Sequence, residues 1–425
     1  MKDNLVLSVI VPTHNRYNSV KDLLQMLSQQ TFPTDRFEVI VVADGCTDET
    51  YLLEKQVYPF VFTLCQLEGS GAAAARNFGA KQAKGELLLF LDDDIQPCNC
   101  LIEKHVQAHH TEKDVVIGYL PLSRGAGKGL FRMALRSWWE EKFYQMSLAG
   151  YRFGFDDLLS GNFSITAAFF ASAGGFNTSF NCSEDYELGV RLMQLGANFK
   201  YEKEAWGWHN DLITDLNRSL QRKREEGRAH IAMCRLYPDT MHRLRLGQYT
   251  KYRSGRKLQF LLTNPGIAAL VVKRMAALME WYDRKRFRGH WKRFNHLLHD
   301  YWYLKGALDH FASLEELEHF IAKTKTSHSS TALTIDLKQG VDSAYEMVDS
   351  LKPHSVILKF GSFIIGRMPS CFSEPIKCIH LKHYLFKTRK ENYLKALALD
   401  ASFTENLFTN TNQVRLDKKQ KEEYV

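Results

Sequence analysis

The feature that most constrains this chain is an apolar run that ends in three consecutive aspartates. The five residues from Leu87 to Leu91 are apolar without alternation, the pattern of a parallel strand covered on both faces. Asp92, Asp93 and Asp94 follow directly, and Pro97 ends the segment. Open α/β sheets bind ligands beyond the carboxyl ends of their strands. Three adjacent carboxylates need compensation by solvent, bases or a cation, and hard oxygen ligands suit magnesium or manganese. A solvated acidic turn is the alternative interpretation of an isolated triplet.

The composition is that of a globular protein with more than one domain. A chain of 425 residues exceeds the usual size of one core. Its content of 45% hydrophobic and 24% charged residues is ordinary, and its net charge of +8 is modest. Among the 8 cysteines only Cys98 and Cys100 are close together, so no zinc or disulfide framework is indicated. This cysteine usage favours a reducing compartment.

The ends and apolar runs of the sequence indicate a cytoplasmic protein. The first residues lead into a strand-like segment without the apolar core of a signal peptide. No stretch reaches the roughly 18 apolar residues that a transmembrane helix needs.

Strand-like and helical patterns alternate through the first half of the chain. This alternation predicts a parallel sheet with right-handed βαβ connections. Strand patterns occur at 5–12, 37–42, 61–64, 87–91, 115–122 and 158–170, and helical patterns at 19–29 and 183–195. The aromatic segment 124–157 gives no clear pattern.

The second half of the chain differs in character. We predict a helical, basic and aromatic segment over 231–325, after an N-terminal domain over 1–230. A small α/β accessory domain with a polar tail is predicted for 326–425. Its strands are expected at 331–337, 355–365 and 376–384, and the tail after residue 409 is expected to be frayed.

Eight short motifs occur in an order that resembles family 2 glycosyltransferases with the GT-A fold. They are SVIVPTHNR, VIVVADGCTDET, AAAARNFGA, LLLFLDDDIQP, SGNFSI, GGFN, SEDYELGVRL and WHN, between residues 5 and 230. The resemblance implies a Rossmann-like mixed sheet with helices on both faces that binds a nucleotide sugar. It also implies inverting transfer of a sugar from a nucleotide-diphosphate donor to an acceptor hydroxyl, in polysaccharide or glycoconjugate synthesis.

The resemblance also implies where the nucleotide sugar binds. Pro12 and Thr13 correspond to the loop under the base, and Asp44 to a carboxylate that accepts a hydrogen bond from the base. Ala43 stands where the family usually has a second acidic residue, which leaves the base open, although a UDP-sugar is favoured. The guanidinium of Arg76 is suited to phosphate oxygens. The full set of expected nucleotide-sugar-binding residues is Pro12, Thr13, Asn15, Arg16, Asp44, Arg76, Asn77, Asp92, Asp93, Gly161 and Asn162.

A divalent cation, Mn²⁺ or Mg²⁺, is expected from the same resemblance. Asp94 corresponds to its ligand, and Asp92 to a residue that contacts the ribose or shares the ion. Asp93 points to the other side of an extended backbone and is the structural carboxylate of the three. His209 resembles a late histidine that completes the metal site, although a histidine beside two tryptophans is otherwise typical of a packed core.

Glu184 and Asp185 match an acidic pair at a helix start. Neighbouring side chains point in different directions, so one of the two faces the cleft. By the family pattern Asp185 is the catalytic base, while the helix dipole alone accounts for Glu184.

Two later segments bear on the acceptor. Glu225 stands where processive family members have tryptophan, which argues against a polymer-threading synthase. The basic and aromatic stretch from Arg284 to Phe294 fits nucleic acid, an anionic membrane surface or a solvated helix. In a glycosyltransferase the membrane surface is favoured and nucleic acid is not expected. We expect a carbohydrate or lipid-linked acceptor, and a cytoplasmic enzyme with peripheral contact to the inner face of the membrane.

Two other functions compete with this interpretation. A nucleotidyltransferase has a similar fold and acidic metal site, but a basic glycine-rich loop is expected after its first strand, where this chain has THNR. A non-catalytic nucleotide-sugar-binding protein is disfavoured by the complete acidic motifs, and donor hydrolysis would distinguish it from an enzyme.

Overall fold

The computed structural model describes residues 5–123, 129–210, 216–249, 255–326, 332–370 and 372–399. The chain divides into two compact units. The first comprises residues up to 148, 153–328 and 371–374, and the second comprises 149–152, 329–370 and the residues from 375 onward. The tail after residue 409, which the sequence predicts to be frayed, lies outside the described residues.

The first unit is built on an eight-stranded mixed sheet in the order β3-β2-β1-β4-β7-β6-β8-β5. Its strands are β1 (Leu7–Thr13), β2 (Phe37–Asp44), β3 (Val61–Leu67), β4 (Leu87–Leu91), β5 (Ile95–Pro97), β6 (Asp114–Tyr119), β7 (Asn162–Thr166) and β8 (Asn198–His209). The neighbours from β3 to β4 are parallel, whereas β7 is antiparallel to both β4 and β6.

The sheet register brings the candidate site residues to one edge. β1 lies between β2 and β4, with Leu7 opposite both Phe37 and Leu87. The three strands therefore end at the same edge, because the carboxyl ends of parallel strands coincide. β5 runs antiparallel to β8 and pairs Ile95 with His209, which brings the end of β8 beside the aspartates that follow β4.

Eleven helices belong to the first unit within the described residues. They are α1 (Tyr17–Leu27), α2 (Ala72–Gln82), α3 (Leu101–Ala108), α4 (Leu130–Ser147), α5 (Ala167–Ser172), α6 (Glu184–Gln194), α7 (Leu216–Leu236), α8 (Gly255–Thr263), α9 (Pro265–Arg284), α10 (Arg288–Leu308) and α11 (Leu314–Thr326). The segment 124–157, which shows no clear pattern in the sequence, contains α4. Among the described helices, each is too short or too polar to cross a bilayer.

The helices after residue 216 share a hydrophobic core with the sheet domain. Phe155 and Val190 belong to the same buried cluster as Ile231 and Tyr303. α7 and α10 also approach closely. A Cβ on Gly227 in α7 would lie 2.0 Å from the carbonyl oxygen of Tyr303 in α10. The predicted domain boundary after residue 230 falls inside α7.

The second unit contains a three-stranded sheet in the order β11-β10-β9. Its elements are β9 (Leu333–Asp336), β10 (Val356–Phe360), β11 (Phe363–Met368), α12 (Val341–Leu351), α13 (Cys378–His383) and α14 (Lys390–Leu399). Ile335, Val348, Leu358, Ile365 and Leu381 are buried together in its core. A mixed sheet domain, a helical segment and a small C-terminal α/β unit are the fold class that the sequence predicted, and this prediction is confirmed.

Two of the predicted strands in the second unit are wrong. The segment 376–384 contains α13, and Leu381 and Leu385, four residues apart, are buried at a helical spacing. The segment 355–365 is split into β10 and β11 at Gly361, whose φ of 59° permits the reversal.

Candidate active site

The middle aspartate of the triplet after β4 is a buried structural group. Asp93 accepts a hydrogen bond of 2.6 Å from Thr13 Oγ1, at the end of β1. Its other oxygen pairs with Arg16 at 2.7 Å. Burial raises the pKa of Asp93 to about 6, and the charges of Asp94 and Asp92 add to this, while Arg16 and Thr13 oppose it. The prediction that Asp93 is structural agrees with this placement.

Asp94 lies beside His209 at the edge of the sheet. Asp94 Oδ2 pairs with Arg16 at 3.0 Å, and His209 Nε2 lies 3.4 Å from Asp94 Oδ1. Burial alone would raise the pKa of Asp94, but the contacts with His209 and Arg16 outweigh it and hold this pKa below its usual value. Asp94 therefore carries a negative charge at neutral pH.

Arg76 joins the triplet to the acidic pair at the start of α6. This side chain is only 4% exposed. Its guanidinium pairs with Asp92 Oδ1 at 2.8 Å and with Glu184 Oε1 at 3.0 Å, and it lies 5.5 Å from the ring centre of Phe176. Asp92 and Glu184 are 92 residues apart in the sequence. The two acidic motifs are thus joined by one side chain.

The acidic pair opens α6 after Ser183, which has a left-handed conformation with φ of 60°. Asp185 Oδ1 accepts a hydrogen bond of 2.9 Å from the backbone N–H of Tyr186, and its Oδ2 lies 3.5 Å from the backbone nitrogen of Ser160. Burial raises the pKa of Asp185 to about 7, and the charge of Glu184 contributes in the same direction. A carboxyl group with this pKa can exchange a proton near neutral pH.

Asp44 shapes the loop that leads into α2. Its carboxylate accepts hydrogen bonds from the backbone N–H groups of Gly69, Ser70 and Gly71 at 3.1, 2.7 and 2.7 Å. Gly69 and Gly71 have φ near +90°, a conformation that glycine adopts without strain. The sequence did not predict this structural role, and hydrogen bonding from Asp44 to a base stays a prediction.

The loop after β1 is tied to the loop after β2. Asn15 Oδ1 accepts a 2.7 Å hydrogen bond from the backbone N–H of Thr47, and Asn15 itself has φ of 54°. His14 Nδ1 lies 2.6 Å from the carbonyl oxygen of Asp44. Pro12 is half-buried at the end of β1. These contacts hold the predicted base-binding segments next to each other.

Two predicted binding residues use their side chains within the protein. Asn77 donates to the carbonyl oxygen of Phe176 at 2.7 Å and accepts from its N–H at 2.8 Å. Asn162 is fully buried, where it donates to Ala205 O at 2.9 Å and pairs with His105 at 2.8 Å. Both positions are therefore structural here, and contact of either side chain with a donor stays a prediction.

Gly161 brings the backbone close to the triplet. Its carbonyl oxygen accepts a hydrogen bond from the N–H of Asp92 at 3.1 Å, and a Cβ at this position would lie 2.8 Å from Asp92 Oδ2. Any larger residue would displace the Asp92 carboxylate, so the glycine preserves the position of the first aspartate.

The contacts of Asp94 and His209 bear on the predicted metal site. Within the described residues, no group of three or more His, Cys, Asp or Glu side chains is arranged to hold a metal ion. However, Asp94 Oδ1 is buried without a hydrogen-bond partner among them and faces His209. A buried carboxylate oxygen and an imidazole fit two positions of an Mn²⁺ or Mg²⁺ ion whose other ligands are phosphate oxygens and water. Asp92 is held by Arg76, and its share in such a site stays a prediction.

Sequence reasoning missed one aromatic residue near the site. Trp139, in α4, lies with its ring centre 5.8 Å from that of His209 and also stacks on Phe143 at 5.7 Å. The adjacent Trp138 is exposed. The two adjacent tryptophans in the sequence could have indicated this residue. However, no helix was predicted for the segment, so the direction of their side chains could not be inferred.

Comparison with known proteins finds similarity to one family in this domain. Residues 8–170 match the family model "Glycosyl transferase family 2". An uncharacterized glycosyltransferase of Haemophilus influenzae is 34% identical over 193 residues, which cover 44% of this chain and 62% of that protein. The poly(ribitol-phosphate) beta-N-acetylglucosaminyltransferase TarS of Staphylococcus aureus is 43% identical over 90 residues, or 20% of this chain and 16% of TarS.

A solved structure adds a resemblance in fold. The crystal structure of S. aureus TarS 1-349 in complex with UDP has 20% identity and a TM-score of 0.40, and covers 69% of this chain and 90% of that one. The two alignments with curated relatives given above each span less than two thirds of the relative's length. Over residues 8–170, the N-terminal domain of this chain is thus similar to glycosyltransferase family 2.

Proposed function

We propose that this chain transfers a sugar from a nucleotide-diphosphate donor to an acceptor hydroxyl, with inversion at the anomeric carbon. The family supports glycosyl transfer. The observation that carries the finer proposal is the Arg76 bridge, because the buried guanidinium pairs with both Asp92 and Glu184 and so joins the aspartate triplet to the acidic pair that includes Asp185. A donor-binding group and a proton acceptor must lie this close for a single displacement.

In the proposed reaction Asp185 removes the proton from the acceptor hydroxyl. The hydroxyl oxygen forms a bond to the anomeric carbon as the bond from that carbon to the phosphate oxygen breaks, and the nucleoside diphosphate leaves with the electron pair. A carboxylate with a pKa of about 7 is a stronger base than an ordinary aspartate and is still substantially ionised at neutral pH. Glu184 and Arg76 are the charged groups that act on Asp185, with opposite effects on its pKa.

Asp94 and His209 are the residues that would hold a divalent cation, Mn²⁺ or Mg²⁺. Such an ion would supply positive charge against the leaving diphosphate. Arg16 pairs with Asp93 and Asp94, and so keeps the carboxylates in place on the donor side.

We further propose a UDP-sugar as donor and a carbohydrate or lipid-linked saccharide as acceptor. Two relatives carry names in this class: a poly(ribitol-phosphate) N-acetylglucosaminyltransferase and an O-antigen biosynthesis protein of Myxococcus xanthus. Their names support a role in the synthesis of surface polysaccharide or a related glycoconjugate.

A thermal-shift panel tests the donor. UDP-, GDP- and dTDP-sugars are compared with and without Mn²⁺, with nucleoside triphosphates as the matched comparison. A ligand that binds the folded state stabilises it by mass action, so the true donor raises Tm, and more so with metal. Stabilisation by triphosphates alone would favour the nucleotidyltransferase alternative, and binding without any donor turnover would favour a non-catalytic binding protein.

A further inference from the structure

The solvent-facing side of α9 is unusually apolar. Ile267, Leu270, Leu278 and Trp281 are 47%, 54%, 43% and 44% exposed. With Arg274 between them, their spacing of three or four residues places them on one face of the helix. The stripe from Ile267 to Trp281 is about 21 Å long at 1.5 Å per residue. We call these residues the α9 stripe.

The α9 stripe is not the face of the helix that packs into the core, because other residues of α9 do so. Ala268, Met275 and Met279 are buried on a different, neighbouring face of α9, where Met275 and Met279 pack with Leu130 of α4. Asp283 accepts a 2.8 Å hydrogen bond from the backbone N–H of Leu130, which fixes the two helices to each other. The apolar residues of the stripe therefore contribute nothing to this core, and their exposure costs solubility unless they bind something.

An aromatic and basic cluster continues the stripe at the end of α9. Phe287 is 48% exposed, and its ring centre lies 5.6 Å from that of Trp281. Between residues 273 and 293 the sequence has eight basic residues and two acidic ones. The basic residues are all exposed: Lys273, Arg274, Arg284, Lys285, Arg286, Arg288, Lys292 and Arg293. Of the two acidic residues, Asp283 accepts the hydrogen bond from Leu130 at the N-terminus of α4 and pairs with Arg286 at 3.7 Å.

We propose that the α9 stripe and its surrounding cations bind the surface of an anionic phospholipid bilayer. Apolar and aromatic side chains enter the boundary between headgroups and acyl chains, while lysine and arginine stay at the level of the phosphates. Each cation near an anionic leaflet adds to the attraction. The helix lies on the surface and does not span it.

The same observations argue against the other occupants. A second copy of this chain docked on the stripe would oppose two sets of eight exposed cations, which repel each other. Nucleic acid would satisfy the cations but would leave Ile267, Leu270 and Leu278 without apolar partners. Of these three partners, only a bilayer offers anionic groups to the cations and an apolar region to the stripe.

The contact also bears on the candidate site, although it does not depend on the proposed transfer chemistry. α4 connects the two regions, since Leu130 packs against α9 and Trp139 lies against His209. If the acceptor is lipid-linked, a bilayer on the α9 stripe would hold the site close to it.

Vesicle co-sedimentation tests the proposal. The full chain is mixed with phosphatidylcholine vesicles, with and without about one third phosphatidylserine, at low and at high salt. Two variants are compared with the wild type: Leu270→Ser with Leu278→Ser and Trp281→Ser, and Arg284, Lys285, Arg288 and Lys292 each changed to Ser. The matched control changes Tyr51, Val57 and Leu236 to Ser, three residues with similar or greater exposure elsewhere in the first unit. Thermal unfolding without ligand verifies that each variant is folded.

We expect the wild type and the control to bind anionic vesicles equally. The stripe variant should lose about tenfold or more in partitioning, and the cation variant should lose its preference for phosphatidylserine. Salt should weaken wild-type binding without abolishing it. Absence of wild-type binding, equal binding by the stripe variant, or equal loss in the control overturns the proposal. So does a wild-type dimer that the stripe variant dissociates, or RNA binding that competes with vesicles.

Discussion

The two acidic motifs of the candidate site hold the same chemical groups in opposite electrostatic surroundings. At the triplet, Arg16 and His209 oppose the effect of burial and keep the pKa of Asp94 below its usual value. At the start of α6, burial and the neighbouring Glu184 raise the pKa of Asp185 to about 7. Arg16 and His209 thus favour the charged form of Asp94, whereas burial and Glu184 disfavour the charged form of Asp185 although Arg76 opposes them. The comparison teaches that the surroundings, rather than residue type, suit the two carboxylates to the different roles proposed for them, cation ligand and proton acceptor.

The largest effect is expected when the proton acceptor is removed. Asp185→Asn preserves shape but not basicity, so we predict that kcat falls by about 10²-fold or more while donor binding persists. Ionisation of Asp185 destabilises the folded state as pH rises towards 7, so the variant should be at least as stable as the wild type above that pH. Steady-state kinetics and thermal unfolding measure both quantities. Glu184→Gln is the matched comparison and should be milder, and the reverse order would assign the base to Glu184.

The next effect concerns the residue between the two motifs. Arg76→Met leaves the partly buried carboxylates of Asp92 and Glu184 without their cation, and losing one partner of a buried ion pair costs about 3–5 kcal/mol. Urea denaturation should show this loss in the free energy of unfolding, with a smaller loss in Arg76→Lys. The control is Lys104→Met, which removes an exposed ion pair with Glu204 and should change stability little. Equal stability of Arg76→Met and the wild type would show that the two motifs are not coupled through this residue.

The smallest effect is a shift in pH dependence. Because Asp185 must be ionised to accept a proton, kcat/KM should rise by about tenfold per pH unit below 7 and level off above it. Glu184→Gln removes a charge that raises the pKa of Asp185, so its profile should move to lower pH. A wild-type profile that stays flat over about three pH units around 7 would contradict the assignment of Asp185.

The sequence predicted those strands of the first sheet that are marked by an apolar run, but no run marked β5, and the pattern at 158–170 covers both β7 and α5. The sheet is also mixed rather than parallel, because β7 is antiparallel to β4 and β6. Unbroken apolar runs such as 87–91 correspond to buried strands, and the polar residues after them meet at the carboxyl edge. The hairpin at Gly361 and α13 were missed, because short apolar runs in a small domain fit either a strand or a helix. The extent of shared core between the sheet and the helices after residue 216 depends on long-range contacts that no local pattern reports.

The sequence suggested candidate residues for the site but not their partners. Asp93 is buried as expected of a structural carboxylate, but Asp93 and Asp94 lie in a turn and share Arg16, so alternation along an extended backbone does not describe them. The Arg76 bridge and the pairing of Arg16 with the triplet join residues more than 70 positions apart or on different elements, so spacing alone could not show them. The internal contacts of Asn77 and Asn162 were hidden for the same reason.

Calorimetric titration of donor with Mn²⁺ into two variants tests the division of roles most directly. Asp94→Asn removes a proposed metal ligand and should weaken donor binding by about tenfold or more, and the remaining binding should be insensitive to EDTA. Asp185→Asn should bind donor as the wild type does, and Asp93→Asn should lose much less than Asp94→Asn. Normal donor binding by Asp94→Asn together with lost binding by Asp185→Asn would contradict the account, as would wild-type binding that EDTA does not affect.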